Sequence, residues 1–272
     1  MHLPDLAMSA RSLLSGAIVG YVLGLVGGGG SILAVPLLVY FVGYRDHPHV
    51  AIGTTALAVA VNAIIASVPH FRRGHVDLRS GAWFAAAGVL GATVGSRLGL
   101  LVDGKRLLLM FAALMVLVAV LMWRRTLVPQ TGRPDAGAHE PPRRRGAVPA
   151  AAVARLAATG LVVGAASGFF GIGGGFLIVP GLLAATAMPM LTAVGTSLLS
   201  VAAFGATTAV QYGRAGAVDL PIAVVFILGG LGGGLAGAMS GTRLGGRALT
   251  RVFSVVVVAV ALYMAGNVLH FV

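Results

Sequence analysis

The strongest constraint on this chain is a glycine-broken motif carried twice, once in each of two hydrophobic halves. The first copy reads Gly16-Ala-Ile-Val-Gly20-Tyr-Val-Leu-Gly24-Leu-Val-Gly27-Gly28-Gly29-Gly30-Ser31-Ile-Leu-Ala-Val-Pro36. The second reads Gly160-Leu-Val-Val-Gly164-Ala-Ala-Ser-Gly168-Phe-Phe-Gly171-Ile-Gly173-Gly174-Gly175-Phe-Leu-Ile-Val-Pro180. Two shorter matches follow in the same order. Ala51-Ile-Gly53-Thr54-Thr55 pairs with Ala193-Val-Gly195-Thr196-Ser197, and Arg72-Arg-Gly74-His-Val76-Asp77-Leu78 with Arg214-Ala-Gly216-Ala-Val218-Asp219-Leu220. Duplicated halves whose apolar segments break at matching places are the sequence form of a repeat-built membrane transporter.

Composition agrees with a membrane setting. With 58% hydrophobic and 10% charged residues, the chain cannot cover a water-facing surface, so it reads as a polytopic membrane protein. The net charge of +12 sits in short stretches beside apolar runs, without the interleaved aromatics of a nucleic-acid surface. Topology signalling and anionic lipid account for it, and no nucleic acid is expected. The absence of cysteine excludes disulfides, thiolate metal sites and thiol catalysis. The first apolar stretch lacks the flanks of a cleaved leader and is expected to stay in the fold.

Five helical segments are expected in each half, at 11–26, 31–44, 50–69, 77–100 and 105–123, then 151–170, 175–187, 190–211, 218–241 and 247–270. The last three of each half can cross a hydrocarbon core of roughly 30 Å at 1.5 Å per residue. The first two are shorter and meet at the glycine run, as tilted short spans or as a re-entrant hairpin. Either way each half crosses an odd number of times, so two tandem copies sit in opposite orientations. The expected fold is therefore an all-α integral membrane protein of two inverted five-segment repeats, 1–123 and 151–272. A flexible basic linker, 124–150, joins them. If the linker faces the cytoplasm, that side collects most of the arginines, and the other gets Arg11, Arg45, Arg97, Lys105, Arg106 and Arg214. Both termini are then outside.

Three groups of residues could carry function. Consecutive glycines at Gly27 to Gly30 and Gly171 to Gly175 defeat helix formation and let a ligand approach backbone N–H groups. A helix restarting near Ser31 or Phe176 presents the positive end of its dipole to an anion. The regularly spaced Gly16, Gly20 and Gly24, with Gly160, Gly164 and Gly168, read as helix-packing positions. The hydroxyls of Thr54, Thr55, Thr196 and Ser197 could donate to an oxyanion, or serve as caps and back-bonds to helix carbonyls. Asn62 and Gln211 are weaker candidates without repeat equivalence. Arg72 and Arg214 are equivalent at the ends of the third spans, where a counter-charge role competes with snorkelling to headgroups.

The acidic residues argue by their positions. Asp5, Asp46, Asp77, Asp103, Asp135, Glu140 and Asp219 all avoid the middle of a span, which disfavours a carboxylate proton relay or sodium site. Asp77 and Asp219 are expected to cap the fourth helices. No paired carboxylates, nucleophile–base pair or metal cluster appears in the spans, so an enzyme is not expected. His70 and His75 read as interface histidines.

These motifs together resemble the sulfite exporter TauE/SafE family. The resemblance rests on Gly24-Leu-Val-Gly27-Gly-Gly-Gly-Ser-Ile-Leu-Ala-Val-Pro36 with Ala51-Ile-Gly53-Thr54-Thr55, and on the repeated Gly168-Phe-Phe-Gly171-Ile-Gly173-Gly174-Gly175 with Val194-Gly195-Thr196-Ser197. It implies a permease of the inner membrane that moves sulfite, sulfonates or related small sulfur-containing anions. The expected mechanism is secondary transport by alternating access, with the anion between Gly28, Gly29, Gly30, Ser31, Gly173, Gly174, Gly175 and the four hydroxyls. An anion channel of the same architecture is the alternative. The expected partners are the anion, membrane lipid and, in a homodimer, a second copy of the chain. No cofactor or metal is implied.

Overall fold

The computed structural model describes residues 5–26, 28–127, 150–186 and 188–240, together with 258, 260, 262, 263 and 266. Among these residues every regular element is helical. The chain forms α1 (Leu6–Val26), a 3-10 turn (Gly28–Leu33), a single helical turn α2 (Ala34–Pro36), a π-helical stretch (Leu37–Val42), α3 (Pro48–Arg72), α4 (Leu78–Leu101) and α5 (Gly104–Leu127). The second half repeats the pattern with α6 (Ala150–Phe170), α7 (Gly175–Ala185), α8 (Met190–Arg214) and α9 (Leu220–Ser240). The expected linker lies mostly outside the described residues, as does most of the expected segment 247–270. α5 runs to Leu127, past the boundary drawn at residue 123.

Six described helices are long and apolar enough to cross a membrane: Leu6–Leu25, Pro48–Arg72, Leu78–Leu101, Ala150–Phe170, Leu191–Arg214 and Leu220–Gly237. α1 thus starts five residues before its expected boundary, whereas α6 matches the expected segment to within one residue. α1 and α6 have 21 residues each, about 31 Å of helix. The second segments are the short ones, because α7 has 11 residues, about 16 Å. Pro36 explains part of the irregularity in the first half. It donates no backbone hydrogen bond and crowds the carbonyl four residues back, and the helix beyond it widens to the π form, where Gly43 N–H reaches Leu38 O.

Helix ends carry their own chemistry. Asp77 caps α4, accepting from the N–H groups of Arg79 and Ser80 at 3.1 Å, and Asp219 accepts from Ile222 N–H at 3.2 Å at the start of α9. Both caps agree with the sequence expectation. The repeated Arg-x-Gly motif closes the third helices. Gly74 and Gly216 each take φ +71, and the following N–H bonds five residues back, His75 to His70 O and Ala217 to Tyr212 O. That is the helix-ending turn in which glycine is favoured.

Packing order follows from which backbones touch. α1 lies against α9, α9 against α3, α3 against α8, α8 against α4, and α4 against α6. Each half therefore lends its fourth helix to the other half's side of the bundle. Glycines set the close approaches: a Cβ at Gly16 would meet Phe226 O at 2.0 Å, at Gly20 Gly230 O at 2.1 Å, and at Gly237 Tyr21 O at 2.1 Å. Rising numbers meet rising numbers, so α1 and α9 run parallel. Gly164 against Gly88 and Gly168 against Ala92 make α6 and α4 parallel in the same way. α3 and α8 run antiparallel, since Gly53 meets Tyr212 and Ala217 whereas Gly195 meets His70 and His75. α3 also runs parallel to α9, through Thr54 with Asp219 and Asn62 with Gly230. Because α1 and α3 share a direction, the broken segment between them carries the chain back to its starting side.

Candidate functional site

The paired Gly-Thr motifs hold the halves together. Thr54 Oγ1 accepts from the N–H of Asp219 at 2.9 Å, and Thr196 Oγ1 accepts from the N–H of Asp77 at 2.9 Å. Each hydroxyl thus secures the start of the opposite half's fourth helix. Thr55 instead bonds back to Ala51 O at 2.8 Å, and Ser197 to Val194 O at 2.7 Å. The two motifs are not neighbours. On antiparallel helices Thr54 lies near Tyr212 and Thr196 near His70, about 24 Å apart along α3. One small anion cannot touch both.

This placement changes what their mutation does. Replacing either threonine with valine strands one half-buried N–H at a helix start, at a cost of about 1 kcal/mol. Thr54→Val and Thr196→Val are each expected to lower the unfolding temperature in detergent, with additive effects because the sites are far apart. Unchanged unfolding temperatures would mean that these bonds bear no load between the halves.

The glycine breaks, by contrast, come together near mid-depth. Gly173 stands beside Val59 and Val201, close to the midpoints of α3 and α8, and a Cβ there would be 3.2 Å from the Val59 side chain. Gly30 folds back onto α1 between Val19 and Leu23, one turn from the level at which Gly20, Gly230 and Asn62 stack. The 3-10 turn Gly28–Leu33 packs directly on α7. The breaks differ in form. Gly171, Gly173 and Gly174 have φ of +67, +65 and +67, which a side chain resists, whereas the first break is a 3-10 turn. Gly174 caps α7 without any side-chain hydrogen bond. The first N–H groups of that helix, at Gly175 and Phe176, have no partner within it.

Unpartnered polar side chains surround this level. Asn62 is 3% exposed and both atoms of its amide lack a hydrogen-bond partner; the same holds for the hydroxyls of Ser167 and Ser200, both fully buried. The Ser167 Oγ lies 2.6 Å from where a Cβ on Gly174 would be, directly beside the α7 cap. Most span hydroxyls here behave otherwise: Thr55, Ser96 and Thr207 bond to carbonyls one turn back. A buried polar group without a protein partner costs about 1–3 kcal/mol, so these groups are free to bond a bound water or ligand. Asn62, Ser167, Ser200 and the α7 amides thus put neutral donors, the chemistry that suits an anion, at this depth, with Asn62 on the α3–α9 seam and Ser200 on the side of α8 that faces α4.

The remaining candidates fall elsewhere. Ser31 is fully buried in the 3-10 turn. Gly28 and Gly29 open that turn and Gly175 begins α7. Arg72 and Arg214 are exposed at the ends of α3 and α8, as headgroup-level side chains would be. Gln211 is half-buried beside the α8 terminus, where its carbonyl caps Ala215 N–H. Near that end Tyr44 donates to the Asp219 carboxylate. Burial first, and then the carboxylate, push the Tyr44 hydroxyl well above the usual tyrosine range, so this tie between the halves persists until strongly alkaline pH. Sequence reasoning missed Ser167, Ser200, Thr208 and Tyr212. The available signal was a polar residue in one repeat where the other has an apolar one, as with Ser167 against Leu23 and Ser200 against Ala58.

Comparison with known proteins bears on all of this. Residues 12–264 match the family described as Sulfite exporter TauE/SafE. A "Probable membrane transporter protein" of Xylella fastidiosa strain 9a5c is 47% identical over 263 residues, covering 94% of this chain and 96% of its own. That of strain Temecula1 is 48% identical over the same length. The Bacillus subtilis "Probable membrane transporter protein YunE" is 28% identical over 229 residues, covering 79% of this chain and 81% of its own. No solved structure matches the chain.

Proposed function

Because the chain belongs to the sulfite exporter TauE/SafE family, we propose that it is a secondary transporter exporting sulfite, sulfonates or related small sulfur-containing anions across the inner membrane. The observation that carries this reading is the mid-depth meeting of two glycine breaks beside Asn62, Ser167 and Ser200, buried donors without partners. Neutral donors and helix-start amides suit a small oxyanion, which needs several hydrogen bonds but no fixed counter-ion.

Alternating access between two inverted repeats is the matching mechanism. The helix directions support it. α3 and α8, equivalent in the two halves, run antiparallel; α9 runs with α3 while α4 runs with α8, so the fourth helices oppose each other too. Rocking of one side of the bundle against the other would expose the mid-depth site to each face in turn. With the linker cytoplasmic and the termini outside, an interior-negative potential drives a monovalent anion outward by roughly 2.3 kcal/mol per 100 mV, so export needs no coupling carboxylate.

The test is flux in proteoliposomes loaded in turn with sulfite, sulfoacetate, thiosulfate and sulfate, under a potential of either sign. Saturable, potential-driven movement of a sulfur oxyanion is expected. Flux that rises without saturation would replace the carrier with a channel. If none of the four moves under either polarity, the substrate class is wrong.

A further inference from the structure

One ridge of α8 carries more polarity than a helix seam needs. Thr196, Ser200, Phe204, Thr208 and Tyr212 follow each other at four-residue steps and form a single packing ridge. It lies against α4: Thr196 meets Gly81, Phe204 meets Gly88, and Tyr212 meets Gly99. Ser200, Thr208 and Tyr212 are all fully buried, and none of their hydroxyls has a partner. Ser200 stands at mid-depth, next to Val201 and the Gly173 break. Tyr212 stands near the helix end, its ring centroid 6.1 Å from that of His49. His49 in turn lines a cleft of about 540 Å³ whose wall carries Arg45 and Lys105 together with Asp46 and Asp103. The hydroxyls thus step from the candidate anion site to a charged opening at the bundle end, over about 18 Å.

Phe204 alone interrupts them. Its ring fills the notch left by Gly88, where a Cβ would lie 2.0 Å from the ring tip, and it stacks on Phe84 at 6.2 Å. The equivalent ridge of α3 reads Thr54, Ala58, Asn62, Ala66 and His70, with Asn62 in the matching notch at Gly230. That ridge has an amide where α8 has a ring, and alanines where α8 has hydroxyls.

We propose that the α4–α8 seam is the anion's route between the mid-depth site and the Arg45/Lys105 cleft, closed in this conformation by the Phe204 ring seated on Gly88. The proposal deepens the exporter reading and rests on it for the ligand class. When the ring leaves the notch, water and the anion supply the partners that Ser200, Thr208 and Tyr212 lack.

The chain has no cysteine, so single cysteines can be placed in it without prior changes. Ser200→Cys, Thr208→Cys and, as a lipid-facing control, Leu90→Cys would be reconstituted and treated with the anionic, membrane-impermeant reagent sulfonatoethyl methanethiosulfonate. Thr208→Cys is expected to react roughly tenfold faster than Leu90→Cys, the ratio that a modest difference in access produces. Adding Phe204→Ala, or Gly88→Ala to dislodge the ring where Phe204→Ala does not fold, is expected to speed Ser200→Cys labelling by a similar factor. Sulfoacetate, which does not consume the reagent, should slow both reactions. Labelling no faster than at Leu90 would overturn the route, even with sulfur-anion flux intact. Ser200→Cys labelling indifferent to Phe204→Ala and to Gly88→Ala would remove Phe204 as the closure. Labelling that sulfoacetate does not slow would keep the route and strike sulfonates from the ligand class.

Discussion

Replacing Gly233 with alanine is expected to cost the protein much of its folded yield, while the same change at the adjacent Gly232 does nothing harmful. A Cβ on Gly233 would lie 1.9 Å from Ala17 O and 2.7 Å from its carbonyl carbon, whereas one on Gly232 would meet nothing within 4 Å. The obstacle at Gly233 is backbone, which cannot rotate away, so α1 and α9 would have to separate along a seam where Gly16, Gly20, Gly229 and Gly237 also make close contact. Overpacking of this kind costs about 1–3 kcal/mol at one position, and more when a whole helix pair must shift. At Gly232 the change should be neutral or stabilising by up to about 1 kcal/mol, through helix propensity. Thermal unfolding of the purified variants, followed by size-exclusion chromatography in detergent, reads the difference. Equal behaviour of the two variants would mean that the α1–α9 contact is not as close as described.

Asn62→Leu is expected to move stability and transport in opposite directions. The substitution keeps the side chain's branched, four-heavy-atom shape and removes an amide whose two polar atoms are buried without partners against Gly230. Stability should rise by about 1 kcal/mol or more, because nothing in the folded protein repays the amide's desolvation. Transport should fall, since a hydrogen bond to a charged ligand is worth about 1.5–3 kcal/mol, roughly tenfold to a hundredfold in affinity. Asn62→Gln, which keeps the amide but displaces it, should lose transport without gaining stability. A leucine variant that is both less stable and fully active would make Asn62 a packing residue and leave the mid-depth site to Ser167, Ser200 and the α7 amides.

The two halves agree at the positions that tie them together and differ at several matched positions along α3 and α8. Thr54 and Thr196 make the same bond to the opposite half, Gly74 and Gly216 the same turn, and Asp77 and Asp219 cap equivalent helices. Asn62 and Phe204 occupy equivalent notches with opposite chemistry, as do His70 and Tyr212 beside Gly195 and Gly53. Each of the frame contacts is made twice, once from each half, with the same or similar residue types.

Local features were legible in the sequence because they depend on near neighbours and on period. The apolar runs mark the spans, consecutive glycines mark the breaks, an acidic residue before an apolar run marks a cap, and a glycine after an arginine marks the helix end. α1 begins at Leu6, five residues before the expected start at Arg11, because a helical turn near the membrane surface tolerates polar residues such as Ser9. The sharing of donors was not legible. Thr54 and Thr196 looked like partners around one ligand, and only the antiparallel packing of α3 on α8 sets them at opposite ends, each tied to the other half. Nor does the alphabet distinguish Gly232 from Gly233, or Ser197 with its carbonyl partner from Ser200 with none. Those differences arise from which helix face meets which backbone. Contacts between distant segments decide that, and spacing along one segment cannot encode it.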